Sequence, residues 1–407
     1  MMGILLIFGM IWSLIWGWIR WGIDRLACGV RSSQESPESG AESPLSSDSY
    51  QVDNCPPEQG RRTDQGLGEE LLPISIIIAI HNEEALIGRL LDSLSAIEYP
   101  TWEVIFVLDR CTDQTERIIT TFFPLFSYSL ISLNSPPNNW SPKKWAVTQG
   151  VLAANYEHLC LTDADCVVQP DWLWRMNAGF SQGNELMLGV GLYESQPGML
   201  GRLIRMETAF TAFQYLGAAG HGMPYMGVGR NIGYRKTVFN RVGGLESHRE
   251  VLSGDDDLLV QALRGKVKTG ISLTAPSFSI APSTWSEWVG QKTRHVSSSA
   301  HYGWGSKVFL AVFHLSHALW WGFWLILLIC NTLTLGQLFA LYLLRISFPL
   351  LTWGRLGNWL KLSWWELPVL DFSYFLYNLS VIPWGLIRRP AWTKNRKFQK
   401  TRKKIGI

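Results

Sequence analysis

The 407-residue sequence predicts a mostly parallel α/β sheet with flanking helices, bordered by membrane-spanning helices at both ends. Two observations carry this prediction. In the middle of the chain, continuous Ile, Val and Leu runs alternate with helical patterns, which is typical of parallel strands buried on both faces. Charged residues make up only 17% of the chain, and they are missing from long apolar stretches near its two ends.

Residues 71–281 are predicted to hold the α/β domain. Strands are expected at 73–80, 102–108, 126–133, 158–164 and 186–192, and helices at 83–94 and 143–154. Ligands of such sheets bind at the carboxyl ends of the strands. Functional side chains are therefore expected directly after each apolar run.

The chain ends are predicted to contact a membrane. Residues 1–22 carry an uncharged apolar run long enough for one span and are predicted to form an N-terminal anchor. A cleaved signal peptide is the alternative, but no positive charge precedes the run and no A-x-A-like site follows it. Residues 31–70, rich in Ser, Glu, Pro and Gly, are predicted to form a disordered linker.

Residues 307–387 are predicted to hold C-terminal membrane helices, with a two-span hairpin that turns near Asn331. A third apolar stretch at 367–387 contains Asp371 and two prolines, and the sequence leaves open whether it crosses. Residues 388–407 form a basic tail, with nine Lys or Arg and no acid between 388 and 404. Cytoplasmic membrane faces attract such tails, so we expect an even number of crossings after residue 306 and a cytoplasmic tail.

Two other functions suggested by composition are disfavoured. A basic tail can also bind nucleic acid, but no other basic face or nucleic-acid motif accompanies it, so no nucleic-acid partner is expected. The six cysteines have neither CxxC nor zinc-site spacing, so they indicate no structural metal.

Polar side chains follow three of the predicted strands. Asn82 and Glu83 follow the first strand, Asp109 follows the second, and Asp163 and Asp165 follow the fourth. A single Asp at a strand end is usually a helix cap. Two carboxylates this close repel each other unless a cation lies between them, and Mg²⁺ or Mn²⁺ prefers such oxygen ligands. The pair therefore favours a divalent cation that holds substrate phosphates.

An ordered set of motifs between residues 73 and 300 resembles family 2 glycosyltransferases of the membrane-bound, inverting kind. The matching segments are ISIIIAIHNEE, VLDRCTDQT, SPKKWAVTQG, LTDADC, GVGRNIGYRK, GDDDLL and GQKTRH. The resemblance implies a GT-A-like fold, a nucleotide-sugar donor and a Mg²⁺ or Mn²⁺ cofactor. In two places the sequence departs from the family, with Gly254 where Glu is usual and His295 where Trp is usual.

The resemblance also implies residue roles. Asp255 would be the catalytic base, with Asp256 as a rival, and Arg294 would stabilise the leaving group. Asp165 and Asp163 would hold the metal. The donor-binding residues would be Asn82, Glu83, Asp109, Lys143, Asp163, Gln291 and Arg294. Lys144 could substitute for Lys143, and the alternatives for Lys143 and Arg294 are a solvated helix-start lysine and a surface ion pair.

The leading hypothesis is a multi-pass enzyme of the plasma or inner membrane whose catalytic domain is cytoplasmic. It would transfer a hexose, expected to be UDP-linked, to a hydroxyl of a membrane lipid. Residues 282–306, which contain Gln-x-x-Arg-His, Trp285 and Trp288, are predicted to be an interfacial segment in contact with the bilayer. A polysaccharide synthase that extends a cell-surface glycan is the first alternative, although His295 removes an aromatic platform. A non-catalytic membrane scaffold is the second.

Overall fold

The computed structural model describes residues 2–31, 71–122, 126–354 and 360–387. Nearly all of the predicted linker and the whole basic tail therefore lie outside the described residues. Seven strands form the central sheet: β1 (Ile74–Ile80), β2 (Trp102–Asp109), β3 (Ser127–Leu133), β4 (His158–Leu161), β6 (Leu186–Leu188), β8 (Ile232–Arg235) and β9 (Thr269–Ile271).

The order of the strands across this sheet is β3-β2-β1-β4-β8-β6-β9. All neighbours pair in parallel except β8, which is antiparallel to both β4 and β6. The apolar strands β1 and β2 are buried on both faces, whereas the edge strand β3 is partly exposed. The predicted mostly parallel α/β sheet is confirmed, and the carboxyl ends of β1, β2 and β4 lie along one edge of it.

A second sheet contains the short strands β5 (Cys166–Val167), β7 (Gly191–Tyr193) and β10 (Ser277–Ser279). The prediction of one strand at 186–192 is wrong, because β6 and β7 belong to different sheets. The chain changes sheets at Gly189, whose Cβ, if present, would overlap the side chain of Asn231. Asn231 is fully buried and donates hydrogen bonds to the carbonyl oxygens of Val190 and Ala275, so it holds the crossing point in place.

The described residues form twelve α-helices whose first and last residues are defined. They are α1 (Met2–Arg31), α2 (Ile87–Ser95), α3 (Thr115–Thr121), α4 (Pro142–Ala153), α5 (Trp172–Ser181), α6 (Gly198–Gly220), α7 (Lys236–Arg241), α8 (Asp257–Leu263), α9 (Trp285–Ser298), α10 (Trp304–Ile329), α11 (Leu335–Trp353) and α12 (Leu367–Ile387).

Helix α6 was not predicted, since it is buried nearly all round and lacks a one-sided apolar pattern. The N-terminal helix α1 packs against α6, α10 and α11 and buries Trp12 and Trp16 completely. Its approach to α6 is so close that a Cβ on Gly220 would overlap the carbonyl oxygen of Gly22. Helix α1 is thus part of the folded core as well as an apolar segment.

Three helices of the described part are long and apolar enough to cross a membrane: Met2–Leu26 within α1, α10 and α11. The apolar run at 308–344 forms most of α10 and α11, which are separated around Asn331, in line with the expected hairpin. Helix α12, the third apolar stretch, does not meet the same criterion among the described residues.

The charge in α12 is accommodated by a buried polar cluster. Asp371 accepts a hydrogen bond from Arg345 at 2.5 Å and lies 3.0 Å from Nε2 of His317. The Arg345 guanidinium also lies over the rings of Trp12 and Trp320. Because a buried charge without its partner is strongly destabilising, this cluster ties α1, α10, α11 and α12 together.

Candidate active site

The loops after β1 and β2 are joined by hydrogen bonds. Asn82 has a φ of 55°, in the left-handed region, and its Oδ1 accepts a hydrogen bond from the backbone N–H of Thr112 at 2.7 Å. The backbone N–H of Glu83 donates to Oγ1 of Thr115 at 2.9 Å. The polar residues that follow β1 therefore shape the loop that follows β2.

Asp109 ends β2 in a polar pocket beside these loops. Its side chain is buried, and its two carboxylate oxygens accept hydrogen bonds of 2.8 Å from Nε and Nη2 of Arg110. Nδ1 of His81 lies 3.9 Å from the same carboxylate. A ligand that bonds to Asp109 would therefore share this carboxylate with Arg110.

Lys143 links two of the predicted acids. Its Nζ lies 3.0 Å from a carboxylate oxygen of Asp163 and 3.0 Å from one of Asp255. Burial lowers the pKa of Lys143, but the two carboxylates outweigh this effect and hold the pKa well above its ordinary value. Lys144 is fully buried instead and donates to the carbonyl oxygen of His248 at 2.8 Å. Of the two lysines, Lys143 is the one in contact with the predicted acids.

Asp163 and Asp165 lie just after β4 and form a possible metal-binding group with Cys166. The candidate ligand atoms of these three residues lie within 4.8 Å of one another. The Cys166 thiol is buried and donates a weak hydrogen bond to Oδ1 of Asp165 at 3.6 Å. Two of the three candidate ligands are carboxylates, so the donor set fits a hard cation such as Mg²⁺ or Mn²⁺.

The three consecutive aspartates before and at the start of α8 have different environments. The Asp255 carboxylate contacts Lys143. Asp256 is the N-cap of α8, and its two oxygens accept hydrogen bonds from the backbone N–H groups of Asp257 at 2.8 Å and Gly229 at 2.6 Å. Asp257 is buried and faces away, toward Ser298 and Tyr302.

These environments separate the two candidate bases. Burial raises the pKa of Asp255, but the charge of Lys143 prevails and holds it below the ordinary value. Burial and the charge of Asp255 raise the pKa of Asp256 to about 6. The Asp255 carboxylate thus lies against Lys143, whereas both oxygens of Asp256 are engaged by backbone N–H groups. Asp255 therefore stays the candidate base, with Asp256 as its rival.

Gly254 explains one departure from the family pattern. It has a φ of 79°, which side-chain-bearing residues rarely adopt, and a Cβ there would lie 2.9 Å from Cγ of Leu258. A glutamate, which the family usually has at this position, would be strained on this backbone.

Gly229 is a site residue that the sequence analysis did not single out. A Cβ at this position would lie 3.4 Å from Asp256, 3.6 Å from Asp255 and 3.7 Å from Nζ of Lys143. Glycine therefore leaves open the space next to both acids. The segment GVGRNIGYRK was noticed only as part of the family resemblance, and no spacing rule distinguishes this glycine from the others in it.

Helix α9 carries the remaining predicted residues. Gln291 donates a hydrogen bond to the Tyr193 hydroxyl at 3.1 Å. Burial lowers the pKa of Arg294, and the interaction with Tyr193 opposes this shift in part. Trp288 is fully buried, with its ring edge-on to Tyr193 at 6.1 Å and 6.2 Å from the ring of Tyr377. Trp288 thus packs inside the protein, not at a membrane interface, and only Trp285 is half-exposed.

Residues 75–243 match the sequence model of glycosyl transferase family 2. The chain carries a family 2 glycosyltransferase domain. This matched segment covers nearly all of β1 and the whole of β2 to β4, with Asp109, Lys143, Asp163 and Asp165, whereas the acids at 255–257 lie beyond its end at residue 243. The expectation of a family 2 glycosyltransferase domain is confirmed.

Curated relatives of the glycosyltransferase domain carry glycosyltransferase names. A probable glycosyltransferase, YdaM of Bacillus subtilis, is 25% identical over 234 residues, which are 56% of this chain and 55% of the relative. The poly-beta-1,6-N-acetyl-D-glucosamine synthase of Staphylococcus epidermidis is 28% identical over 138 residues, 33% of this chain and 32% of the relative. The chain thus spans about half the length of the first relative and about a third of the second.

Two solved structures are similar to this chain at low identity. The mannosyltransferase PcManGT from Pyrobaculum calidifontis, in complex with GDP-Man and Mn²⁺, has a TM-score of 0.47 at 12% identity and covers 93% of this chain and 96% of its own. Residues 1–349 of S. aureus TarS have a TM-score of 0.41 at 17% identity, covering 60% of this chain and 72% of their own.

Proposed function

We propose that the protein is an inverting glycosyltransferase that moves a hexose from a nucleotide sugar to a hydroxyl of a membrane lipid. The observation that carries this proposal is the contact of one lysine, Lys143, with both a candidate metal ligand, Asp163, and the candidate base, Asp255, at 3.0 Å each. A candidate metal ligand and a candidate proton acceptor would therefore lie on either side of one ammonium group. A metal-assisted transfer from a nucleotide sugar would use both.

Asp255 would act as the general base. Its ionised carboxylate would accept the proton of the acceptor hydroxyl as the oxygen attacks the anomeric carbon. One in-line displacement by the acceptor inverts the configuration at that carbon and needs no covalent intermediate, in contrast to glycosidases that use two carboxylates.

The leaving nucleoside diphosphate would be stabilised by positive charge. A divalent cation on Asp163 and Asp165 would supply part of that charge when bound. Lys143 and Arg294 would add side-chain charge near the phosphates, and Arg is suited to bidentate phosphate binding. Asp109, Asn82, Glu83 and Gln291 would bind or frame the donor. A UDP-linked donor is expected from the family resemblance.

The lipid acceptor is supported by the surroundings of α9. This helix carries Gln291 and Arg294 and is followed within a few residues by α10, one of the helices apolar enough to span a membrane. A polysaccharide synthase is the second candidate, favoured by the name of the S. epidermidis relative. Against it, Trp288 is buried and His295 stands where the family usually has Trp, so neither position offers a tryptophan ring to a growing glycan. A non-catalytic scaffold is disfavoured, since Asp109, Asp163, Asp165 and Asp255 are all present.

A transfer assay distinguishes these functions. Membranes that contain the protein are incubated with labelled UDP-glucose, UDP-galactose, UDP-GlcNAc or GDP-mannose, and lipid extract is separated from polymer. We expect label from a UDP-linked donor in the lipid extract. Label in polymer alone would instead establish the polysaccharide synthase. No label in either fraction with any donor, from protein shown to be folded, would favour the scaffold.

The proposed topology places the glycosyltransferase domain and the basic tail on the cytoplasmic side, with two crossings after residue 306. Nucleotide sugars are cytosolic, and Arg20 and Arg25 follow the apolar part of α1 on the side of the domain. A cysteine introduced at Gly406, in a background without other accessible thiols, should resist an impermeant maleimide in intact cells. Ready labelling there would mean three crossings.

A further inference from the structure

Helix α8, which begins two residues after Asp255, presents one polar face to the start of a candidate membrane helix. Asp257 and Gln261 are four residues apart, so they lie on the same side of the helix, and Arg264 directly follows its last turn. Their partners are Ser298 at the end of α9, and Tyr302, Gly303 and Ser306, which connect α9 to α10 and form its first turn. We call these seven residues the α8–α10 junction.

The α8–α10 junction is held by hydrogen bonds along its whole length. A carboxylate oxygen of Asp257 accepts from the Tyr302 hydroxyl at 2.6 Å and from Oγ of Ser298 at 3.0 Å. Gln261 accepts from the backbone N–H of Gly303 at 3.2 Å and donates to Oγ of Ser306 at 3.2 Å. Arg264 donates to the same Oγ of Ser306 at 2.8 Å.

The part of the α8–α10 junction that lies nearest to Asp255 is buried. Ser298 is fully buried, and Asp257 and Tyr302 are buried as well. Burial, and then the charge of Asp256, raise the pKa of Asp257 well above its ordinary value. In a buried site, a lost hydrogen bond is not replaced by water, so each bond there matters for geometry.

The backbone of Asp255 adjoins the α8–α10 junction, so a shift of the junction would move the Asp255 carboxylate. Asp255 precedes Asp257 by two residues, and the intervening Asp256 caps the same helix. On the other side of Asp255, a Cβ on Gly254 would lie only 3.3 Å from Cβ of Ser298. The backbone that carries Asp255 is therefore confined between the capped end of α8 and the end of α9.

We infer that Asp257 and Tyr302 are positioning residues that fix the start of α8 against the segment leading from α9 into α10, so that a helix able to span the membrane sets the position of the Asp255 carboxylate relative to Lys143. This inference rests on the proposed function, because Asp255 is taken as the base. It assigns a role in the reaction to residues that contact neither donor nor acceptor.

The test uses the full chain in lipid nanodiscs and removes single atoms. Tyr302→Phe deletes the hydroxyl that bonds to Asp257. The matched control is Tyr225→Phe, because the Tyr225 hydroxyl is buried without a hydrogen-bond partner among the described residues and its ring packs against Tyr302. We expect Tyr302→Phe to lower kcat about tenfold, as the loss of one buried hydrogen bond allows, with the KM for the donor within about twofold. The control should leave both values near wild type.

Two further measurements separate positioning from a general loss of stability. Amide hydrogen exchange at residues 255–263 should rise in Tyr302→Phe and remain at the wild-type level in Tyr225→Phe. Asp257→Asn, which keeps an acceptor for Tyr302, should recover most of the kcat lost in Asp257→Ala. Equal kcat and equal exchange in the two tyrosine variants would overturn the inference.

Failure of the proposed function would look different. If the wild type transferred no sugar but exchange at residues 255–263 still rose only in Tyr302→Phe, the junction would stand and the assignment of Asp255 as a base would fall. If transfer were robust but neither kcat nor exchange changed in Tyr302→Phe, the function would stand and the positioning role would fall.

Discussion

Asp255→Asn is expected to lower kcat by about 10²–10⁴-fold, the usual contribution of a general base, while the donor still binds. Asparagine has nearly the same shape but cannot accept the proton of the acceptor hydroxyl. Lys143 keeps its contact with Asp163 in this variant, so the donor side of the site should stay ordered. The measurement is kcat from initial rates, together with the dissociation constant for UDP from calorimetry.

Asp256→Asn is the matched control for this prediction. An asparagine at 256 still offers an oxygen to one backbone donor, so α8 should remain capped and kcat should fall by less than about tenfold. If Asp256→Asn were the inactive variant and Asp255→Asn the active one, the assignment of the base would be off by one residue.

The pH dependence of kcat separates the same two residues without mutation. A base works only when deprotonated, so activity falls as the pH drops through its pKa. Lys143 holds the pKa of Asp255 below the ordinary value of an aspartate, so an Asp255 base should remain active in mildly acidic buffer. An Asp256 base, with a pKa of about 6, would lose half of its activity near pH 6.

Much of this fold follows from local patterns in the sequence. The strands β1 and β2 could be predicted because apolar runs buried on both faces leave few alternatives, and the acids after β2 and β4 because parallel strands end at one edge. Helix α6 could not, because a helix buried on all sides has no periodic signal. The break at Gly189 depends on Asn231, which is distant in sequence, so no local pattern revealed it.

The candidate site, like the fold, could be predicted from the sequence only in part. Motif order identified Lys143, Asp163, Asp165 and Asp255, but it could not decide between Lys143 and Lys144, which are adjacent and chemically identical. That choice depends on which lysine faces Asp255 and which is buried under His248. The sequence analysis likewise assigned Trp288 to a membrane interface. The sequence does not show whether a tryptophan is buried, and the burial of Trp288 depends on its packing against Tyr377, which is distant in sequence.

Metal dependence is the second prediction with a large expected effect. Excess EDTA should abolish sugar transfer, and Mn²⁺ or Mg²⁺ should restore it. Asp165→Asn should lower kcat by at least about a hundredfold, because the neutral amide is a weak ligand for a hard cation and the charge of the leaving diphosphate would be less well balanced. Asp163 contributes the other carboxylate and contacts Lys143, so Asp163→Asn should disturb both the cation site and the position of that lysine.

Cation binding can be measured independently of transfer, by the broadening of the Mn²⁺ electron paramagnetic resonance signal on titration with protein. Wild type and Cys166→Ala should bind Mn²⁺ alike, because a hard cation prefers the carboxylate oxygens to the thiol, whereas Asp165→Asn should bind it at least about tenfold more weakly. A loss of binding in Cys166→Ala equal to that in Asp165→Asn would mean that the thiol is a ligand and that the site favours a softer ion. Undiminished transfer in excess EDTA would leave Lys143 and Arg294 as the charges that stabilise the diphosphate, and Asp163 would then serve to hold Lys143 in place.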